Sequence, residues 1–410
     1  MLDPAKLNIS EYDYLLPSGR IAQVPLSERD ASKLLIFKDS LICQDYFINI
    51  DRFLPEKPLL IFNDTKVIHA RLLFPKPGGA TIEIFCLEPL APSSEIQIAF
   101  QQQRHCSWKC LVGNLKRWKN GTLRQDSQVE GKSYSLYARR SEDLGEGCHS
   151  VEFTWDPPEQ TFSQVLEAIG KVPLPPYIHR QANESDGARY QTIYAEKEGS
   201  VAAPTAGLHF TKKVFDKLTI KQSLFEKVTL HVGVGTFRPI TTPDITDHVM
   251  HKEKITVKLK TIESIYNHLD RPVIAVGTTS ARTIESLYWL GVRLSDLKTV
   301  QLPEISQWEP YQHSNRDFIP VKNALENLLE FLARNKLDEY SGETQLMIVP
   351  GYTYKIITGL ITNFHMPQSS LLLLVAALIG NDWRKAYQFA LEHDFRFLSY
   401  GDTSLFFKNA

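Results

Sequence analysis

VIAVGTTSAR (residues 273–282) sets the architecture: a four-residue apolar run, a glycine, three hydroxyl side chains and the start of a helix read over 282–290. An all-apolar strand that feeds a helix through a glycine turn is the repeating unit of an α/β fold. The free amides at the helix start, with Thr278, Thr279, Ser280 and Arg282, make a pocket for a carboxylate or phosphate. The plainer alternative is a capped helix with a surface arginine.

Outward from this unit, 33–37 and 59–62 read as strands with a short helix between them, and the pattern then changes. Short β-rich runs at 80–87, 95–100, 107–112, 133–138 and 150–155, broken by Gly, Pro and Asn, predict a small barrel. Helices return at 162–170, 212–218 and 262–269, alternating with strands at 227–232 and 273–276. The expected fold is an α/β main domain (mixed or parallel sheet, residues 1–70 and 156–410) with a small inserted β-barrel domain (71–155). Residues 291–345 read as a partly helical insertion, polar at first and then an amphipathic helix from Pro320 with Leu325, Leu328, Leu329 and Leu332 on one face. Strand-like turns at 351–357, a buried helix at 371–379 preceded by serine caps, and a helix at 383–393 complete the chain.

At 410 residues the chain exceeds one comfortable core. Its longest apolar run, 371–379, is less than half a membrane span, and the first residues lack the apolar stretch of a secretory signal, so a cytoplasmic location is expected. Five cysteines without a dense framework fit a reducing compartment. Cys106 and Cys110 read as ordinary strand residues. The formal charge of −1 conceals a segment, 101–140, with nine basic residues against two acidic ones, a difference of +7. Lys116, Arg117 and Lys119 are its densest part. The aromatics among them, Trp108, Trp118, Tyr134 and Tyr137, either stack on bases of a nucleic acid or fill the barrel beneath a solvated surface.

Small, histidine-bearing runs suit a site better than a core. GSVAAPTAGLHFT (199–211) has neither helical nor alternating periodicity and delivers Thr205, Gly207, His209 and Thr211. TLHVGVGTFRP (229–239) supplies His231, Gly233, Gly235 and Arg238, but lacks the third glycine of a dinucleotide turn. His248, His251 and Glu253 lack the i, i+4 spacing of a zinc helix, so no metal is expected, and a general base or phosphate contact is the better reading. His365, beside Asn363, is such a group or a satisfied core histidine. Asp64, at a strand end, is a ribose ligand or an Asx turn; Asp402 sits in another polar turn. No nucleophile elbow, P-loop or Cys–His pair is present, which disfavours hydrolase, kinase and thiol chemistry.

Together with IAQVPLSERDASKLL, FNDTKVIHARL, VPLPPYI, ARYQTIYA, HVMHKE, AVGTTSARTIES, PGYTYK, LITNFHMPQSSLLLLV and FRFLSYGD, these runs resemble the S-adenosylmethionine:tRNA ribosyltransferase-isomerase family of queuosine biosynthesis across nearly the whole chain. The resemblance implies transfer and isomerisation of the ribosyl part of S-adenosylmethionine onto 7-aminomethyl-7-deazaguanine at the tRNA wobble position. Adenine and methionine leave and epoxyqueuosine forms. S-adenosylmethionine is then a consumed cosubstrate, no cofactor is tightly bound, tRNA is the partner, no membrane is involved, and a monomer is slightly favoured.

On this resemblance, His209 and His231 are expected to transfer protons while Thr205 and Thr211 position the sugar. Thr278, Thr279, Ser280 and Arg282, with Gly207, Gly233 and Gly235, are expected at S-adenosylmethionine. Arg189 and Arg238 are expected at tRNA phosphate or the same carboxylate. Asp64, Glu253 and Asp402 are expected at ribose hydroxyls or the aminomethyl cation, and His248, His251, Asn363, His365, Lys116, Arg117 and Lys119 at the substrate RNA. The sequence departs from the family pattern at His69, near Thr358, in residues 398–404 and in the extra residues within 291–345. The alternatives are a divergent relative that uses another acceptor, and an RNA-binding protein without catalysis.

Overall fold

The computed structural model describes residues 4, 7–129, 131–145, 147–232, 240, 242, 244–296, 304–312 and 319–409. Nine strands form one mixed sheet in the order Glu339–Thr344, Glu253–Lys258, Leu224–Leu230, Leu59–Asn63, Val273–Val276, Gly359–Asn363, Thr403–Phe407, Lys33–Lys38, Leu41–Tyr46. The third to sixth run parallel to one another, and both edges are antiparallel. The central strands Leu59–Asn63, Val273–Val276 and Gly359–Asn363 are buried at every residue, as expected where helices cover both faces. Thr403–Phe407 lies between Gly359–Asn363, which it meets antiparallel, and Lys33–Lys38, which it meets parallel with Leu34 opposite Thr403.

A second sheet of six antiparallel strands runs Arg71–Pro75, Thr81–Ala91, His105–Gly113, Cys148–Asp156, Lys132–Gly145, Leu123–Val129. Its first and last strands lie close without hydrogen bonding, so it is barrel-like and nearly closed. Alternating side chains such as Ile82, Ile84 and Cys86 fill it, together with the helix Phe162–Ile169. Thr161 caps that helix through a reciprocal bond pair with Gln164. Trp108, Trp118 and Tyr134 are buried here as core, Tyr137 is half-buried, and Lys116, Arg117 and Lys119 face solvent, as do Arg104, Arg124, Lys132 and Arg139.

The short helix expected between the first strands is the 3-10 helix Phe47–Arg52, preceded by an antiparallel strand, Leu41–Tyr46, that was not expected. One expected strand is overturned. Residues 95–100 form a helix, Ile96–Phe100, because Ala99 and Phe100 turn inward while Ile98 is half exposed, a helical and not an alternating pattern. The 351–357 turns form no strand. The described parts of 291–345 pack into the main domain. The helix Thr278–Asp296 runs into it, and the helix Val321–Arg334 packs Leu325, Leu328 and Leu332 against that helix. Gly291 permits the contact, since a Cβ there would lie 1.9 Å from the carbonyl oxygen of Ala324. Glu339–Thr344 then forms a sheet edge. Among the described residues no helix is long and apolar enough to cross a membrane.

Candidate active site

Leu59–Asn63, Val273–Val276 and Gly359–Asn363 run parallel, so Asn63, Val276 and Asn363 emerge on one edge, where open α/β sheets hold ligands. An open pocket lies there, with about 760 Å³ of space when its solvent-filled mouth is included. Residues 202–206 supply one wall, Gly277, Thr278 and Thr279 another, residues 362–366 a third, with Ser369 and Ser399 closing it. Ala202, Ala203, Pro204 and Ala206 are too short to fill the space, which explains the lack of periodicity in that run.

Two helices begin at this cavity. Thr278–Asp296 follows Gly277, whose φ of 89° is a conformation that glycine adopts at little cost. Ser370–Ile379 is capped by Ser369, whose Oγ accepts from the Leu372 N–H and donates to the Met366 carbonyl. First-turn amides have no partner inside their own helix, and the helix dipoles favour negative charge at that end. The arrangement suits a carboxylate.

Asn363 is 2 % exposed and lines the cavity. Its Nδ2 lies 3.2 Å from His209 Nε2 and donates to the carbonyls of Leu398 and Asp402 (3.2 and 3.4 Å). Two carbonyls on that side fix the amide orientation, since the flipped form would set oxygen against oxygen. Oδ1 is therefore left as a buried acceptor without a partner among the described residues. Leaving it unpaired costs on the order of 1–3 kcal/mol, so a ligand donor there is strongly favoured. His365 also lines the cavity, with Nε2 3.0 Å from Thr362 Oγ1, and burial lowers its pKa to about 3.

Of the residues singled out from sequence, Thr205, Thr278, Thr279, Asn363 and His365 meet at the cavity. The others that the structure describes do not line it. His209 stands behind Asn363; its Nδ1 is 2.8 Å from Ser32 Oγ, and burial lowers its pKa to about 3. With Nε2 accepting from Asn363, the Nδ1 proton goes to Ser32. Thr211 is a helix cap that accepts from the Val214 N–H and donates to Asp30. Ser280 donates to the Val276 carbonyl four residues back. Gly207 owes its size to Tyr194, since a Cβ would fall 1.9 Å from the phenol oxygen.

Arg282, expected at a ligand carboxylate, is buried in an ion pair with Glu253. His231 Nδ1 lies 3.3 Å from Thr65 Oγ1, beside Gly199; burial, then the Lys254 charge, lowers its pKa to about 4. Asp64 accepts from Thr229 Oγ1 and is raised by burial; Asp402 accepts from the Lys33 and Arg396 amides and is likewise raised. Arg189 donates to the Leu26 and Ser27 carbonyls. His251 is exposed, and His248 is half-buried and lowered by that burial. Gly233, Gly235 and Arg238 lie outside the described residues.

Three contributors were missed. Asn63, not Asp64, reaches the site: its Nδ2 donates to Thr279 Oγ1 (3.2 Å). Adjacent strand residues face opposite ways, and sequence did not say which faced the site. Ser399 and Tyr177 form a 2.6 Å bond on the cavity wall. Nothing in their local sequence marks that meeting.

Comparison with known proteins adds a further layer. A family model described as "Queuosine biosynthesis protein" matches residues 9–406. The chain is similar to S-adenosylmethionine:tRNA ribosyltransferase-isomerase of Azoarcus sp. (strain BH72), at 35% identity over 406 residues and 98% of each chain. It is similar to the protein of that name from Halothermothrix orenii at 36% identity over 405 residues, 97% of this chain and 99% of that one. Among solved structures, that of S-adenosylmethionine tRNA ribosyltransferase from Thermotoga maritima is 27% identical, with 97% and 100% coverage and a TM-score of 0.45.

Proposed function

The chain belongs to the queuosine biosynthesis protein family, and from that membership we infer that it is a tRNA-modifying enzyme, an S-adenosylmethionine:tRNA ribosyltransferase-isomerase. It moves the ribosyl group of S-adenosylmethionine onto 7-aminomethyl-7-deazaguanine at the wobble position, gives epoxyqueuosine, and releases adenine and methionine. It acts in the cytoplasm.

The observation that carries the mechanism is the cavity with two helix N-termini and one orphan acceptor. S-adenosylmethionine occupies it as a consumed cosubstrate. Its carboxylate takes the helix amides near Thr278, Thr279 and Ser369. Small residues 202–206 let the sugar approach the backbone, with Thr205 beside it. Asn363 Oδ1 accepts from a ligand hydroxyl or amino group, and His209 holds that amide in place. The sulfonium acidifies the ribose C5′ hydrogens, so a base can begin the rearrangement that expels adenine. His365 is the imidazole on the cavity wall and the base of this reading, neutral at pH 7 but kept weakly basic by its burial until the bound sulfonium substrate acidifies its C5′ hydrogens. Lys116, Arg117 and Lys119 contribute charge to tRNA binding.

The test is incubation with S-adenosylmethionine and tRNA carrying 7-aminomethyl-7-deazaguanine, followed by mass analysis of nucleosides and assay of adenine. Epoxyqueuosine with equal adenine is the expected result. Folded protein that binds S-adenosylmethionine yet gives neither product would assign the site to another acceptor.

A further inference from the structure

A second, smaller pocket, open to solvent, adjoins the first and has Ser399 in its wall as well. Arg29, Arg189 and Arg396 line it, with Ser32, His209 and Tyr400 among their neighbours and no carboxylate on the wall. All three arginines are half-buried.

Their guanidinium groups are held by carbonyl oxygens. Arg29 donates to those of Ala188 (2.5 Å), Gln191 (2.6 Å) and Leu208 (3.4 Å), and Arg189 to those of Leu26 and Ser27. Among the described residues neither forms an ion pair. Arg396 donates to the Val24 carbonyl (3.3 Å) and stands 3.7 Å from Asp402, whose two oxygens already accept backbone amides. Carbonyls orient Arg29 and Arg189 without neutralising them, and Asp402 offsets Arg396 only at long range. Burial and the nearby charge of Arg189 both lower the Arg29 pKa, the mark of cations gathered at a mutual cost. Such a cluster, with N–H groups to spare and fixed by backbone, is preorganised for an oxyanion.

We propose that this cavity binds a phosphodiester of the substrate tRNA, next to the nucleotide under modification. The proposal rests on the tRNA-modifying reading above. The α-carboxylate of S-adenosylmethionine is the other oxyanion at hand, but the larger cavity already offers it two helix N-termini. Adjacent cavities with a common wall suit a nucleotide whose base enters the larger while its phosphate stops at the arginines. Arg29 and Arg396, which sequence alone did not assign, thereby join Arg189 as RNA contacts.

The experiment measures tRNA and S-adenosylmethionine affinities for wild type, Arg189→Gln and Arg396→Gln across a salt series, with thermal melting as the fold control. Each variant is expected to bind tRNA roughly tenfold more weakly and to lower the log–log salt slope by about 0.7–0.9, one phosphate contact. Their S-adenosylmethionine affinity is expected to stay within about twofold. Loss of S-adenosylmethionine affinity with tRNA binding intact would assign the cavity to the carboxylate and overturn the proposal. Unchanged binding of both, at unchanged melting temperature, would make the arginines a structural clip only and overturn it too. If Arg189→Gln melts early, Arg396→Gln, which gives up one backbone bond and a long ion pair with an Asp402 still held by two amides, decides. Wild type that turns over normally separates these outcomes from failure of the functional reading, which would show as no adenine release by any form.

Discussion

Replacing His209 by Gln separates two roles for that imidazole. Its Nε2 meets Asn363 Nδ2 at 3.2 Å and its Nδ1 meets Ser32 Oγ at 2.8 Å. A glutamine amide oxygen reaches the Nε2 position and still accepts from Asn363, but it transfers no proton. The lost Ser32 bond costs about 0.5–1.5 kcal/mol, so kcat/KM for single-turnover adenine release is expected to fall by roughly 2- to 13-fold. Alanine leaves Asn363 unbraced and a void behind it, a loss of about 2–5 kcal/mol, and both stability and turnover are expected to drop sharply. Had His209 been the proton-transfer group, Gln and Ala would each lose about 10²–10⁴ in rate. The assay is rapid-quench adenine release with urea denaturation of the same samples. Folded His209→Gln slowed a hundredfold or more would refute the positioning role.

Gly207→Ala places a Cβ 1.9 Å from the unpartnered Tyr194 hydroxyl and is expected to destabilise by about 1–3 kcal/mol; in a Tyr194→Phe background most of that cost should vanish, and additive urea midpoints would show that the glycine serves something else. His209, His365 and His231 fold with pKa values of about 3, 3 and 4, below the unfolded value near 6.5. The unfolded chain therefore binds more protons between these limits, so stability is full above about pH 6.5 and falls as pH drops toward 4. Urea titrations at pH 7.5 and 5.0 check this, and a wild type equally stable at both would contradict the buried neutral imidazoles. Charge reversal at Lys116, Arg117 and Lys119 should weaken tRNA binding with unchanged S-adenosylmethionine affinity, measured by filter binding and calorimetry; an unaltered tRNA affinity removes that turn from the interface.

Where one physical cause dominated, the sequence was readable. Val273–Val276 and Ser370–Ile379 are apolar, short and capped by recognisable residues, and both stand close to where their patterns predict. Leu41–Tyr46 escaped because a solvated edge strand, with Cys43, Gln44 and Asp45 along it, has no buried face to impose alternation. At the site, residue type was legible and direction was not. Thr278 and Ser280 both carry hydroxyls on one turn, yet one lines the cavity and the other bonds back to the end of the preceding strand. Arg282 announced an anion site, but its counterion arrives from a strand 29 positions earlier, a pairing that only the tertiary fold defines.

The place of Thr403–Phe407 in the large sheet has a temporal consequence. Leu34 pairs with Thr403, so the strand Lys33–Lys38 is made 369 residues before its inner neighbour. At about 5–20 residues per second, that interval lasts roughly 20–75 s. During it the hairpin Lys33–Tyr46 offers an unpaired inner edge to any other nascent strand. Ser32, at the foot of that hairpin, His209 and Asn363 come from three distant parts of the chain, so their alignment belongs to the final closing of the sheet. A ribosome stalled before residue 403 would hold every cavity residue named above and still have no site.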